Sequence, residues 1–249
     1  MFLSSSPSTL QPALQALLAR GAVAAVAFDM DGTLVDSETL AEQVVEVWLR
    51  ARGVTRLEHA GRALHGLSWL EIARFLERVY HTRVDDAEAC AVALSQAYHA
   101  RFVGEAPRLL PGAGAAIVAA CMSLPSAIVT SSDRDAATSL ISRLRLDGAL
   151  GVLICAEDCA RTKPDALPYA LACERLGCAP SALLVFEDSD AGLASASAAG
   201  ARAVAITRGD ADAIARAHAV GHVAIDDFDA LPPTFFRDLG NALAREASP

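Results

Sequence analysis

Short runs of apolar residues alternate with longer, helix-like segments along most of the chain. Six runs are candidate strands: Ala22–Phe28, Ser126–Val129, Gly151–Cys155, Ala182–Phe186, Ala203–Ile206 and His222–Ile225. Most of them lack alternation of apolar and polar positions, which is typical of strands buried on both faces of a parallel sheet. Between the later runs, Asp133–Leu146, Asp165–Leu176 and Ser189–Ala199 are long enough for crossover helices. This pattern predicts an α/β fold with a Rossmann-like, doubly wound parallel sheet.

One region, between Asp36 and Glu105, interrupts this alternation. It contains amphipathic segments and no convincing strand. In one segment the apolar residues recur at helical spacing, namely Leu67, Leu70, Ile72, Phe75, Leu76 and Val79. Asp85 and Asp86 predict the start of a further helix that runs to about Phe102. We therefore expect a helical insertion directly after the first strand, above the carboxyl edge of the sheet.

These boundaries divide the chain into four predicted parts. They are an N-terminal tail with a short helix at 1–21, the α/β core at 22–35 and 105–230, the helical insertion at 36–104, and a C-terminal helix or tail at 231–249. The two junctions of the insertion, Leu34–Glu38 and Gly104–Gly112, are expected to act as hinges.

Composition and charge narrow the class of protein. The chain has 249 residues, of which 53% are hydrophobic and 20% charged, which is a globular balance. Its net charge of −9 disfavours binding to phosphate backbones and anionic lipid, so we expect no nucleic-acid and no membrane partner. Six cysteines without a Cys-x-x-Cys motif favour reduced, buried thiols and a cytoplasmic location. The first 21 residues do not resemble a secretory signal.

Polar residues follow the predicted strands where each strand ends. They are Asp29 and Asp31, the hydroxyl cluster Thr130-Ser131-Ser132, Lys163, and Glu187 with Asp188. The carboxyl ends of parallel strands form the edge where ligands bind. Carboxylates crowded at one edge repel each other unless a cation joins them, and all-oxygen ligands suit Mg²⁺ beside a substrate phosphate.

This set of residues is suited to attack on phosphorus. Asp29 is a candidate nucleophile that would form an aspartyl-phosphate. Asp31 could protonate the leaving oxygen and later take a proton from water. Lys163 and Thr130 supply donors for an anionic group, which stabilises the phosphoryl oxygens.

The sequence Asp29-Met-Asp-Gly-Thr-Leu-Val-Asp-Ser-Glu resembles the first motif of the haloacid dehalogenase superfamily, in its phosphatase branch. Thr130 resembles the second motif, Lys163 the third and Glu187-Asp188-Ser189-x-x-Gly192 the fourth, and the resemblance covers roughly 22–230. It implies a small α-helical cap at the insertion and Mg²⁺ held by Asp29, the backbone carbonyl of Asp31, Glu187 and Asp188. It also implies a phosphate site formed by Gly32, Thr130, the backbone N–H of Ser131 and Lys163.

The resemblance predicts a Mg²⁺-dependent phosphatase of a small phosphorylated metabolite, a sugar phosphate or sugar-acid phosphate, which acts as a monomer or weak dimer. The stretch Glu157–Asp165 and the tract Leu109–Gly114 resemble those of 6-phosphogluconate phosphatases. The alternative is a phosphomutase similar to β-phosphoglucomutases, but Ala41 and Trp69 stand where those enzymes carry a histidine and an arginine. A further alternative is a non-catalytic binding domain, which has no need for Asp31. Asp31 also disfavours a haloalkanoate dehalogenase.

Some residue roles stay open at this point. Asp36 and Ser37 could cap the first helix of the insertion or contact substrate, and Glu187 could be a direct metal ligand or support Asp188. His65 is a candidate substrate contact, whereas Trp69 is predicted to be core. Substrate specificity is expected from 59–69 in the insertion.

Overall fold

The computed structural model describes residues 12–54, 64, 68–80, 86–105 and 107–246. Within them, six parallel strands form one sheet in the order β3-β2-β1-β4-β5-β6. The strands are β1 Ala25–Phe28, β2 Ser126–Val129, β3 Val152–Ile154, β4 Leu183–Glu187, β5 Arg202–Ile206 and β6 Val223–Ile225. Because β1 lies between β2 and β4, the order of the strands reverses at β1, and this is the place where such sheets bind ligands. The predicted fold class is confirmed.

The described helices are α1 Pro12–Leu18, α2 Ser37–Arg50, α3 Trp69–Tyr80, α4 Ala87–Glu105, α5 Ala113–Ser123, α6 Arg134–Arg143, α7 Leu167–Leu176, α8 Asp190–Ala198, α9 Ala211–Ala219 and α10 Phe235–Glu246. The three predicted crossover helices correspond to α6, α7 and α8. Helix α7 begins later than predicted, at Leu167, whose amide donates to the Asp165 carboxylate at 2.9 Å. It ends at Leu176, and the residue that caps it, Gly177, has a φ of 68°, which favours glycine.

The described residues fall into two compact units, with divisions after residue 35 and after residue 108. The second division lies beyond the predicted end of the insertion at 104. Helix α4 extends to Glu105, and the Asp36 amide donates to the Arg108 carbonyl oxygen at 2.8 Å, which keeps 105–108 with the insertion.

The first unit contains the sheet, and helices pack on both of its faces. On one face, Ala27, Val129 and Ile154 share a buried cluster with Tyr169 and Ala172 of α7. On the other face, Phe28 stacks on Phe186 at a centroid distance of 5.4 Å and lies 5.9 Å from Phe236 of α10. Burial on both faces explains why the strands are apolar without alternation.

The second unit consists of α2, α3 and α4, and its described residues contain no strand. Its apolar core includes Val45, Leu49, Leu76 and Leu94, all buried. Trp69 packs against this core and lies 5.4 Å from the Tyr98 ring, which agrees with its prediction as a core residue.

Within the N-terminal segment the structure has one short helix, α1, as the sequence predicts. In α1, Leu14 and Leu17 are buried, and the helix contacts β6 within the first unit. The Arg202 guanidinium, itself buried, donates to the carbonyl oxygens of Gly21 at 2.8 Å and Ala22 at 2.5 Å. The sequence signal for these hydrogen bonds was a basic residue, Arg202, at the start of the apolar strand β5. Residues 1–11 lie outside the described residues.

Two further features bear on the class of protein. None of the helices described is both long and apolar enough to cross a membrane.

The six cysteines are free, and Cys90, Cys155 and Cys173 are buried. Burial raises the pKa of the Cys173 thiol to about 12, so this side chain behaves as a small neutral hydrophobe.

Candidate active site

The Lys163 ammonium lies at the centre of the acidic cluster at the carboxyl edge of the sheet. Its Nζ is 2.6 Å from Asp29 Oδ1, 2.6 Å from Glu187 Oε1 and 3.0 Å from the Val129 carbonyl oxygen. The side chain is only 6% exposed. Burial alone would lower the pKa of Lys163, but the charges around it, above all Asp29, raise it well above its ordinary value. Lys163 therefore stays a cation, and its three donors all have acceptors.

Asp29 continues directly from β1, where its amide donates to the Phe186 carbonyl oxygen at 2.9 Å. This bond extends the ladder between β1 and β4 and fixes the direction of the side chain. Burial raises the pKa of Asp29 to about 7, and the charges of Glu187 and Asp31 act in the same direction, while Lys163 opposes them. A cation bound beside Asp29 would favour its ionised form.

Glu187, the last residue of β4, is fully buried, and both of its carboxylate oxygens are hydrogen-bonded. Oε1 accepts from Lys163 and from the Tyr169 hydroxyl at 3.3 Å. Oε2 accepts from the Ser189 amide at 2.9 Å and from the Ser189 hydroxyl at 3.0 Å. A Cβ at residue 192 would clash with this carboxylate, so Gly192 is required for its placement. Glu187 thus contacts Lys163 directly, and its direct metal ligation stays a prediction.

Asp188 lies beside Asp29 and turns toward the loop after β1. Its Oδ1 accepts a hydrogen bond from the Thr33 hydroxyl at 3.1 Å. Burial raises the pKa of Asp188 well above its ordinary value, and the charges of Asp29 and Glu187 add to this rise. Gly32 has a φ of +79°, and a Cβ there would clash with the Asp188 carboxylate. The glycine thus gives Asp188 the space it occupies.

These carboxylates fit a divalent cation. Ligand atoms of Asp29, Glu187 and Asp188 lie within 4.8 Å of one another. Lys163 forms ion pairs with Asp29 and Glu187, and Asp188 adds a third carboxyl group to the cluster. Among the described residues, no donor contacts Oδ2 of Asp29 or of Asp188, and these atoms can accept a cation. Oxygen ligands without nitrogen or sulfur favour a hard ion such as Mg²⁺.

Asp31 belongs to a separate group of contacts with the loop after β2. Its Oδ2 accepts from the Ser132 hydroxyl at 2.6 Å and lies 3.3 Å from the Thr130 hydroxyl. The Ser132 amide in turn donates to the Thr130 hydroxyl oxygen at 3.0 Å. The structure thus connects the first two motifs, as their positions after neighbouring strands predict. Ser131, between them, has an exposed side chain.

The open residue roles in the insertion are partly answered. Asp36 caps α2: its carboxylate accepts from the Thr39 amide at 3.3 Å and from the Thr39 hydroxyl at 2.9 Å. The Arg108 guanidinium also donates to it, at 3.0 Å. These bonds support the capping role over substrate contact. His65, and most of the segment at 59–69, lie outside the described residues.

Sequence reasoning missed two residues that hold this site in place. Tyr169 is buried on α7 below Lys163, with Nζ 5.2 Å from the ring centroid, and it also donates to Glu187. The sequence signal for this role was a tyrosine, whose hydroxyl is polar, within an otherwise apolar stretch of α7. Thr33 is fully buried and orients Asp188, and its position directly after Gly32 gave no sign of that partner.

Comparison with known proteins identifies relatives over most of the chain. A sequence model of haloacid dehalogenase-like hydrolases matches residues 23–200. The chain is 35% identical over 195 residues to validoxylamine A 7'-phosphate phosphatase of Streptomyces hygroscopicus subsp. limoneus, which covers 76% of this chain and 89% of that protein. It is 31% identical over 194 residues to hexitol phosphatase A of Escherichia coli, covering 72% and 81% of the two chains.

A solved structure agrees over nearly the same length. A Thermotoga maritima protein described as a candidate β-phosphoglucomutase superposes with a TM-score of 0.67 at 26% identity, covering 90% of this chain and 99% of that one. The similarity therefore includes the insertion as well as the sheet.

Proposed function

Since the chain belongs to the haloacid dehalogenase-like hydrolases and its named relatives are phosphatases, we propose a Mg²⁺-dependent phosphatase. Its substrate would be a small phosphorylated metabolite, a sugar phosphate or sugar-acid phosphate. The observation that carries the proposal is the buried Lys163 ammonium, 2.6 Å from Asp29 and 2.6 Å from Glu187, beside a further acid, Asp188. This arrangement offers a nucleophile and a phosphate-binding cation at one position.

Asp29 is the proposed nucleophile. One of its carboxylate oxygens attacks phosphorus, the bond from phosphorus to the leaving oxygen breaks, and an aspartyl-phosphate forms. Lys163 supports this step because it fixes the Asp29 carboxylate and places a positive charge beside the proposed phosphate site. Thr130, the backbone N–H groups of Gly32 and Ser131, and Lys163 are the proposed phosphate site.

Asp31 is the proposed general acid and base. It gives a proton to the leaving oxygen in the first step and takes one from the attacking water in the second. The water oxygen then bonds to phosphorus, the bond to Asp29 breaks, and Asp31 is again protonated for the next turnover. The Ser132 hydroxyl donates to Asp31 Oδ2 at 2.6 Å, which holds this side chain at the edge of the sheet where Asp29 lies.

Asp29, Asp188 and the backbone carbonyl of Asp31 are the proposed ligands of Mg²⁺, with Glu187 as a further candidate. When bound, Mg²⁺ supplies positive charge that masks the Asp29 carboxylate and stabilises the phosphoryl oxygens. Glu187 is better placed to orient Lys163, because its two oxygens already accept hydrogen bonds from Lys163, Tyr169 and Ser189.

The named substrates of the relatives support the substrate class. One is named as a phosphatase of validoxylamine A 7'-phosphate and another as a hexitol phosphatase. The second unit, 36–108, is the proposed cap, and residues within it would select among such substrates. A cytoplasmic location, a monomer or weak dimer, and the absence of a nucleic-acid partner belong to the same proposal.

A phosphomutase is the second candidate, favoured by the structural similarity to the Thermotoga maritima protein. Ala41 and Trp69 argue against it, because Ala41 cannot act in a proton relay and Trp69 has no positive charge with which to bind a second phosphate. Incubation with β-glucose 1-phosphate and glucose 1,6-bisphosphate separates the two. A phosphatase releases inorganic phosphate, whereas a mutase accumulates glucose 6-phosphate.

The proposed function is tested by measuring phosphate release from a panel of sugar phosphates, sugar-acid phosphates and phosphoglycolate. The panel is run with Mg²⁺, with EDTA, and with EDTA followed by excess Mg²⁺. We expect turnover of at least one sugar or sugar-acid phosphate, its loss in EDTA and its return with Mg²⁺. The Asp29→Asn protein, purified in parallel, controls for contaminating phosphatases. Equal turnover by that variant, or full turnover in EDTA, would contradict the proposal.

A further inference from the structure

A buried serine of α8 is hydrogen-bonded to the loop that carries Lys163. Ser195 is fully buried, and its Oγ donates to the Asp165 carbonyl oxygen at 2.5 Å, across 30 residues of chain. A serine within a helix can turn its hydroxyl back to a carbonyl oxygen of the preceding turn, whereas this bond connects two separate elements. Neither the family assignment nor the proposed reaction gives Ser195 a role.

Asp165 organises the Lys163 loop, which we define as 159–166, directly before α7. The Asp165 amide donates to the Thr162 carbonyl oxygen at 2.9 Å, so the two residues close a turn around Lys163. The Asp165 carboxylate accepts from the Leu167 amide at 2.9 Å, which connects the loop to the start of α7. The Asp165 carbonyl oxygen then connects the same turn to α8.

Helix α8 also holds the other partner of Lys163, the Glu187 carboxylate. The Ser189 hydroxyl at the start of α8 donates to Glu187 Oε2 at 3.0 Å and accepts from the Gly192 amide at 3.0 Å. Gly192 and Ser195 are three residues apart and both buried, so they lie on the same face of the helix. One turn of α8 therefore contacts Glu187, and the next turn contacts the Lys163 loop.

We propose that Ser195 is a positioning residue that holds the Lys163 loop against α8 and so keeps the Lys163 ammonium between Asp29 and Glu187. Lys163 Nζ lies 2.6 Å from each of the two carboxylates, so a small movement of the loop lengthens both contacts. A displacement of about 1 Å at a catalytic group can lower turnover about 100-fold. The inference rests on the proposed phosphatase function and deepens it, because it identifies what places the cation of the proposed phosphate site.

Kinetics of the full-length enzyme with Mg²⁺ give the first test. Alanine is well tolerated within a helix, so we expect Ser195→Ala to fold. It should lower kcat about 10- to 100-fold and weaken inhibition by inorganic phosphate about 3- to 10-fold. Ser195→Cys has nearly the same shape but only a weak donor, so it should lose activity as the alanine variant does. Ser197→Ala, two residues along the same helix and exposed, is the matched control and should keep full activity.

Crystal structures of the unmodified enzyme and of Ser195→Ala give the second test, which a general loss of stability would not mimic. We expect the Lys163 loop to move away from α8 in the variant and the distances from Lys163 Nζ to Asp29 and Glu187 to lengthen. Unchanged kcat and phosphate inhibition, or lost activity with Lys163 Nζ still in place, would overturn the inference. If the unmodified enzyme released no phosphate from any substrate, the proposed function would fail, and the two crystal structures would still decide whether Ser195 positions Lys163.

Discussion

The Asp188 carboxylate occupies the space into which a side chain at residue 32 would project, and Gly32 leaves that space open. The two residues come from loops after β1 and β4, adjacent strands of the sheet. The glycine also adopts a φ of +79°, which an L side chain rarely adopts. Gly32 therefore serves both the turn after Asp31 and the placement of a proposed metal ligand.

Gly32→Ala should abolish most of the activity, because the new Cβ displaces the Asp188 carboxylate. We expect a loss in kcat/KM of at least about 100-fold and weaker Mg²⁺ binding by calorimetry. Gly148→Ala is the matched control: its φ is +80°, and nothing lies within 4 Å of its added Cβ. Both variants should lose about 1 kcal/mol in the free energy of unfolding from the backbone conformation. Equal activity of the two variants would contradict the role assigned to Gly32.

Tyr169→Phe tests whether the Tyr169 hydroxyl acts through Glu187. The variant keeps the ring 5.2 Å from Lys163 Nζ and removes the hydroxyl that donates to Glu187 at 3.3 Å. Loss of a hydrogen bond to a charged group costs about 1.5–3 kcal/mol, so we expect kcat to fall about 10-fold or more. In the Glu187→Gln background the same substitution should have little effect on kcat. If the losses in kcat from the two substitutions added in the double variant, Tyr169 would not act through Glu187.

Mg²⁺ binding should tighten as pH rises. Asp29 and Asp188 have raised pKa values, about 7 for Asp29, so the metal-free site holds protons that the cation must displace. The folded form binds these protons more tightly than the unfolded chain does. The contribution of these two acids to the free energy of unfolding of the metal-free protein should therefore fall as pH rises from about 4 to about 7. The gain in Tm caused by Mg²⁺ should therefore be larger at pH 8 than at pH 5.5.

Calorimetry in buffers with different ionisation enthalpies measures the protons released. We expect close to one proton or more per Mg²⁺ near pH 6 and fewer near pH 8. Asp188→Asn removes one of the two acids and should reduce both the release and the affinity. A Kd for Mg²⁺ that does not change with pH would contradict the claim that protons on Asp29 and Asp188 must leave when Mg²⁺ binds.

Much of the sheet and of its active edge could be predicted from the sequence, for a physical reason. Parallel strands buried on both faces are continuous apolar runs, and β2 has the predicted bounds Ser126–Val129. Residues that follow such runs meet at one edge, so Asp29, Lys163 and Glu187 could be expected together before their distances were known.

The contacts that orient these residues could not be predicted in the same way. Which oxygen of Glu187 accepts from Tyr169, and which hydroxyl reaches Asp31, depends on side-chain rotamers set by the packing of α7 and of the loop at 130–132. The docking of α1 depends on a single buried guanidinium, Arg202, far from it in sequence. Such contacts leave little periodic signal in the chain.

The central claim, a phosphoryl group carried by Asp29, is tested most directly by acid-quenching the enzyme during turnover with Mg²⁺ and substrate. Peptide mapping by mass spectrometry, with borohydride reduction of the acyl-phosphate to homoserine, then locates the modified residue. The account predicts modification at Asp29, accumulation of the adduct in Asp31→Asn with p-nitrophenyl phosphate, and none in Asp29→Asn, which should also lack turnover. Turnover by Asp29→Asn, or a phosphoryl group on another residue, would contradict it.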